Sequence, residues 1–505
     1  MENLMRRFIL IILVVATTSA CTTPVPPPTP IAPAATSTSL PPTITAREPL
    51  DYRAAMKPEF AADIDRFEAA PHYQIDLTIA PDLKSYSATQ IVTYTNAETV
   101  TLPEVYFRLF PNSPAYGGQL KITALRANGV DVKPQYELDN TAMRIDLAQP
   151  LKPGEAIEFE LAYTAQVPTE EVEIGYNRFG WHNNVLALPG FYPLIPVYDD
   201  EGWNVEVAPA QGDTVFSDTA LYRVNVTAPS DQVVVASGTC QATSSGATQT
   251  VQCVSGPMRD FMIAMSADYE VKSDVVDGVK LNSYYLKEDA EAGARVWEAQ
   301  AAAVKSYDRR IGPYPFSELD VVETPTSAGG IEYPGLVVIA DSLYTSQSTF
   351  REGVVAHEVA HQWWYSLVGN DQIDEPWLDE AFAQFTTALY YRDQYGAASM
   401  QGYVEQALTA LYARVKGTDQ DKRADLPVGA YSESQYSPIV YGKAALFFNA
   451  LYEALGDAKF DQFMQEYFQT YRYGVAYPKD LLAIAAKYVG QAKLDALVKE
   501  WITGP

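Results

Sequence analysis

One stretch, Arg351 to Leu367 (REGVVAHEVAHQWWYSL), restricts this chain more than any other. Val355, Val359 and Trp363 recur every four residues, the spacing of a helix with one apolar face. His357 and His361 then lie one turn apart, so both imidazoles can face the same ion. Glu358 projects beside them, placed to hold a water rather than the metal. Two imidazoles leave a tetrahedral zinc in need of a third protein ligand and an open position. Whatever the fold, it has to return a further carboxylate to this helix.

That carboxylate is expected from the next helix, which opens with PWLDEAFAQF. Glu380 lies eighteen intervening residues beyond His361, enough for a loop and a second helix running back alongside the first. A His357–His361–Glu380 set would hold one zinc ion per chain and keep the fourth position for water, the open geometry of catalytic sites. The chain has only four histidines, and the two outside the motif, His72 and His182, are isolated and read as structural. Lys and Arg number 36 against 63 Asp and Glu, a net charge of −27 that opposes nucleic acid as a partner.

Organisation along the chain is read from composition and patterning. Residues 1–20 look like an export signal: Arg6 and Arg7 precede an apolar run, Phe8 to Ala16, too short to span a bilayer. The run ends in Thr18-Ser19-Ala20-Cys21, small residues before a cysteine, which resembles a lipoprotein signal with Cys21 lipidated. Simple secretion with cleavage before Cys21 is the alternative, and both place the protein outside the cytoplasm. Residues 21–56, Pro/Thr-rich, are expected to be an extended linker. Residues 57–270 hold short alternating runs (HYQIDLTI, SATQIVTYTN, AIEFELAYTA, ALYRVNVTA) parted by Pro, Gly, Asn and Asp, the pattern of an antiparallel sheet-rich domain. Cys240 and Cys253 flank a Ser/Thr/Gly turn there and are expected to form a disulfide in an oxidising compartment. Residues 271–505 change to an Ala/Glu-rich helix, two strands, LDVVETP and GLVVIADS, and then a run of helices. The fold class expected is α+β.

Taken together, these motifs resemble the zinc metallopeptidases typified by aminopeptidase N and the leukotriene hydrolase branch. Beside the H-E-x-x-H and the spaced glutamate, the chain carries a glycine-glutamate motif, Gly329-Gly330-Ile331-Glu332-Tyr333-Pro334, and a downstream SPIVYGKAALFF containing Tyr441. Trp501-Ile502 near the end and YTNAETVTLPEVYFRLFPN in the β region extend the likeness over roughly residues 60–505. The resemblance implies a thermolysin-like α+β catalytic domain after the β domain, without the family's C-terminal helical domain. It also implies roles: Glu358 as general base and then acid, and Tyr441 as oxyanion donor. Glu332 would bind the substrate's free ammonium, and the Gly329, Gly330 and Ile331 backbone would pair with a peptide. Two departures stand out. Tyr333 occupies the position where aminopeptidase N has asparagine. The stretch ALPGFYPLIPVYDDEGW has no clear counterpart of the second amine-binding acid or amide that the family's β domain usually supplies.

The function expected is N-terminal peptide-bond hydrolysis of peptide substrates outside the cytoplasm, from a membrane anchor at Cys21. An endopeptidase with the same metal chemistry is a near rival. A non-catalytic surface-binding protein that keeps the fold is a rival from another class, opposed by the presence of both Glu358 and Tyr441.

Overall fold

The computed structural model describes residues 50–504 apart from 173, 208, 210, 214 and 346–349. The export segment, Cys21 and the linker up to residue 49 lie outside the described residues. Of the linker expected through residue 56, residues 50–56 are part of the folded body. Tyr52, Ala55 and Met56 are buried in the core of the C-terminal region, and Met56 bridges to Phe316. Three apolar side chains at the end of a polar run are enough to dock it.

Alternation in the β region becomes sheet as its pattern demands. In His72–Ile79, Tyr73, Ile75, Leu77 and Ile79 are buried while Gln74 and Thr78 face out. That strand sits inside an eight-stranded sheet, paired antiparallel to Ser85–Thr95 on one side and parallel to Leu221–Pro229 on the other. A three-stranded, a four-stranded and a small two-stranded sheet accompany it, and apolar side chains from all of them pack on one core. Cys240 lies directly opposite Cys253 across the hairpin of Thr239–Ser245 and Thr248–Val254, and the two are disulfide-bonded.

The C-terminal region begins with a five-stranded sheet whose order is Tyr269–Val276, Val279–Leu286, Glu318–Thr324, Leu336–Ala340 and Gly330–Ile331. Its central strand, Glu318–Thr324, is buried along its whole length and runs parallel to both neighbours, as a strand covered on both faces should. The Ala-rich helix Ala290–Arg310 lies against this sheet, tied by Trp297 Nε1 to the Leu281 carbonyl and Gln300 Nε2 to the Leu319 carbonyl. Gly293 is needed for that approach, since a Cβ there would fall 2.0 Å from the Tyr285 ring. The short edge strand Gly330–Ile331 runs antiparallel to Leu336–Ala340 and borders the metal helix described below.

Glu323, near the end of the central strand, is fully buried, and burial pushes its carboxyl up to about 9 despite the Leu286 N–H donated to it. The folded state therefore keeps a proton that the unfolded chain releases near 4.5, and stability falls as pH rises between those values. Glu323→Gln removes this dependence. The variant is expected to be more stable than the parent by about 2 kcal/mol or more at pH 8, with the gap closing toward pH 5. Urea unfolding at the two pH values measures it, and equal stabilities at pH 8 would refute the assignment.

The remaining chain is a helical lobe: Glu380–Tyr395, Ala397–Tyr412 in three segments, Pro438–Leu455, Asp457–Tyr471, Pro478–Val489 and Gln491–Trp501. Two of these helices contain π-helical stretches, Val404–Thr409 and Pro438–Ala444. The two helices approach closely at Gly442, where a Cβ would lie 2.9 Å from the nitrogen of Tyr412, just past the first π-helical stretch.

Candidate active site

The H-E-x-x-H stretch is helical over Phe350–Ala360, shorter than the spacing of Val355, Val359 and Trp363 implies. Past Ala360 the backbone tightens, with Gln362 N–H bonding to Val359 and Trp363 N–H to Ala360. Tyr365 then takes φ 107°, which no helix accommodates. Apolar spacing continues because the turn is as buried as the helix: Trp363 packs on Tyr307 and Tyr314, and Trp364 stacks on Phe382. His361 keeps its bond to the His357 carbonyl, so the imidazoles remain one turn apart.

Glu380 opens the neighbouring helix and brings its carboxylate to both rings. His357 Nε2 and His361 Nε2 are 3.1 Å apart, and each is 3.2 Å from Glu380 Oε2. Three lone-pair donors in a near-equilateral triangle repel one another unless a cation or protons lie between them. Ligands on a tetrahedral zinc with bonds of about 2.0–2.1 Å are separated by about 3.3 Å, so the set fits that ion. His361 Nδ1 donates to the Trp364 carbonyl at 3.0 Å, which leaves Nε2 free to ligate. His357 Nδ1 is buried with no partner among the described residues.

Glu358 faces the edge strand. A Cβ on Gly330 would lie 2.4–2.6 Å from the Glu358 side chain, so glycine is required there by close approach. Glu332, next along that edge, has a carboxylate oxygen within 4.8 Å of donor atoms of both Glu358 and His361. Gln372 Nε2 bridges Glu332 Oε1 at 2.8 Å and Asp379 Oδ2 at 2.7 Å. Gln362, adjacent to His361, bonds the Tyr333 carbonyl and the Gly335 N–H and so holds the turn after Glu332. Tyr441, on the π-helical stretch, donates its hydroxyl to Glu380 Oε1 and lies 5.9 Å from the His357 ring.

A second acid comes from the β region. Asp213 pairs with Arg178 at 3.7 Å, and Arg178 is fixed by the Gly175 and Gly212 carbonyls. The loop carrying Arg178 docks beside the edge strand: the Tyr176 carbonyl accepts from Thr326 Oγ1 and Ser327 N–H. Burial pushes the Asp213 carboxyl up, and Glu332 adds to it. Burial and then Glu332 do the same to Glu358. The site thus gathers more carboxylates than cations, a field suited to a divalent ion and a substrate ammonium. Asp213, Gln372, Asp379 and Gln362 were not foreseen.

Residues 297–501 match the Peptidase family M1 domain. Aminopeptidase M1-B of Oryza sativa subsp. japonica is 23% identical over 400 residues, covering 73% of this chain and 45% of that one. Aminopeptidase B of Homo sapiens is 25% identical over 194 residues, covering 37% and 30%. The chain spans less than half the length of these relatives. An M1 zinc metallopeptidase from Deinococcus radiodurans superimposes with a TM-score of 0.65 at 20% identity, covering 86% of this chain and 93% of that one. It shares the β-rich region and the helical catalytic region. The two histidines and the glutamate thus converge inside the segment that matches the Peptidase family M1 domain.

Proposed function

We propose that this chain is an aminopeptidase that removes N-terminal residues from peptides outside the cytoplasm, with one zinc ion held by His357, His361 and Glu380. The observation that carries the reading is the Glu332 carboxylate, within 4.8 Å of Glu358 and His361 donors. A negative charge so close to the reacting atoms selects a substrate whose scissile bond is one residue from a free ammonium. Asp213, steadied by Arg178, supplies a second carboxyl from the β region. A mutant of the Deinococcus radiodurans neighbour has been solved with a Tyr-Ser-Ala substrate, which agrees with a peptide as ligand.

Bound at the triad, zinc would supply the Lewis acidity that polarises the carbonyl and acidifies the attacking water. The residues of the chain do the rest. Glu358 takes the proton as the water oxygen bonds to the carbonyl carbon. Tyr441 donates its hydroxyl to the oxygen that gains negative charge. As the C–N bond breaks, Glu358 returns the proton to the departing amine. Glu332 and Asp213 hold the ammonium throughout, and the Gly329–Ile331 edge pairs with the substrate backbone, a strand addition that glycine permits.

Export rests on residues 1–21, with anchoring through a lipid on Cys21. The Cys240–Cys253 disulfide supports an oxidising compartment.

Hydrolysis of a free tripeptide against its N-acetylated form tests the substrate reading. The free peptide is expected to be cut at least about 100-fold faster in kcat/KM, equivalent to some 2.7 kcal/mol of charge recognition. Asp213→Asn should narrow that gap. Equal rates would sink the aminopeptidase reading and favour an endopeptidase.

A further inference from the structure

The turn that follows the metal helix is held from outside the catalytic region. Arg259 belongs to the β region, between the strands Thr248–Val254 and Ile263–Ser266. It is 2% exposed, and its guanidinium donates to three backbone carbonyls: Ser217 at 3.0 Å, Tyr365 at 3.0 Å, and Gly474. The Asp218 carboxylate offsets part of the burial that lowers the Arg259 pKa, and the rest of the cost of burying the cation falls on how well each carbonyl bond is made. Gly369 makes room for it, since a Cβ there would fall 2.1 Å from the guanidinium carbon.

Tyr365 is the residue with φ 107°, a conformation that costs a bulky side chain on the order of 1–3 kcal/mol and persists only where surroundings impose it. That rotation determines how the Trp364 carbonyl is presented, and the Trp364 carbonyl accepts from His361 Nδ1. Val368 holds the N–H side of the same residue at 2.8 Å, and Arg259 holds its carbonyl side. We infer that Arg259 is a positioning residue for the zinc ligand His361, acting through the strained Trp364–Tyr365 backbone. The β region thereby fixes the tautomer and direction of one imidazole in the neighbouring region, an inference that rests on the zinc reading of the triad. Without the guanidinium, Tyr365 relaxes toward negative φ, the Trp364 carbonyl turns away, and His361 is no longer held with Nε2 toward the ion.

The test measures zinc affinity of the purified chain by competition with a chromophoric chelator. A parent that binds no zinc would strike at the metalloenzyme reading and not at this one. Arg259→Lys keeps the charge but replaces three separate guanidinium nitrogens by one, which cannot reach carbonyls spread around a planar fork, and Gly369→Ala keeps the arginine but displaces it. Both are expected to weaken zinc binding about 10–100-fold. In zinc-free protein, ring-nitrogen resonances of His361 should lose the fixed Nδ1–H form, and with four histidines in the chain they can be assigned. Ser217→Ala removes a hydroxyl bond to the Arg259 carbonyl at the same seam. It should lower melting temperature without changing zinc affinity. Adding Tyr365→Gly to Arg259→Lys should restore much of the affinity, because glycine takes positive φ freely. Unchanged zinc affinity in both turn variants, or an equal loss in Ser217→Ala, would overturn the inference. If Arg259→Lys misfolds, Gly369→Ala decides alone.

Discussion

Glu358→Gln is expected to lower kcat about 10²- to 10⁴-fold, the range for loss of a general acid–base, while the protein keeps its zinc and its melting temperature. Glutamine preserves the length and hydrogen-bonding capacity of the side chain beneath Gly330, where space is closely limited. It does not take a proton from water at neutral pH. The donor triangle of His357, His361 and Glu380 does not include Glu358, so metal content separates lost chemistry from lost ion. Elemental analysis beside steady-state kinetics on an aminoacyl amide reads both. Near-parent turnover in a zinc-loaded variant would dismiss Glu358 from the proton transfers. Zinc lost together with activity would show that the residue supports the ion instead.

How much of this was readable without a structure depends on how local each feature is. His72–Ile79 was legible to the residue, because alternation is a property of the strand itself. Glu380 was legible too: helical return and loop length leave few ways to complete a two-histidine site. The end of the metal helix was not, since Trp363 sits at helical spacing yet packs from a turn. Hydrophobic periodicity reports burial and cannot distinguish helix from a buried turn that follows it.

Asp213 shows the harder limit. It lies outside the named strands and helices, and what places it is Arg178 from another loop. No spacing rule connects positions 178, 213 and 332. Gln372 and Asp379 left a fainter signal in the density of acids and amides in NDQIDEPWLDE, just before Glu380. The anchoring of Tyr52 and Met56 was hidden by the polar run before them, which sets the local composition without setting where it stops. Tyr441 was found only by resemblance, as one of 34 tyrosines. Its π-helical backbone explains why, because a wider turn shifts side chains off the 3.6-residue register that a pattern search assumes.

That same π-helical stretch makes Tyr441→Phe the second large effect, a fall of about 10²–10³ in kcat with KM nearly unchanged. The ring is held independently of its hydroxyl: it lies 5.9 Å from the Tyr436 ring, edge to face, and 5.9 Å from the His357 ring. Phenylalanine keeps those contacts, so neither folding nor the direction of the side chain should change. What disappears is one O–H, which in the structure already points at the donor triad through its bond to Glu380 Oε1. A substrate carbonyl oxygen gains most of its charge only in the transition state, and a donor aimed there strengthens turnover more than binding. The split between kcat and KM therefore discriminates roles. A rise in KM with kcat preserved would make Tyr441 a ground-state contact, and weaker zinc binding in the variant would make its bond to Glu380 the part that matters.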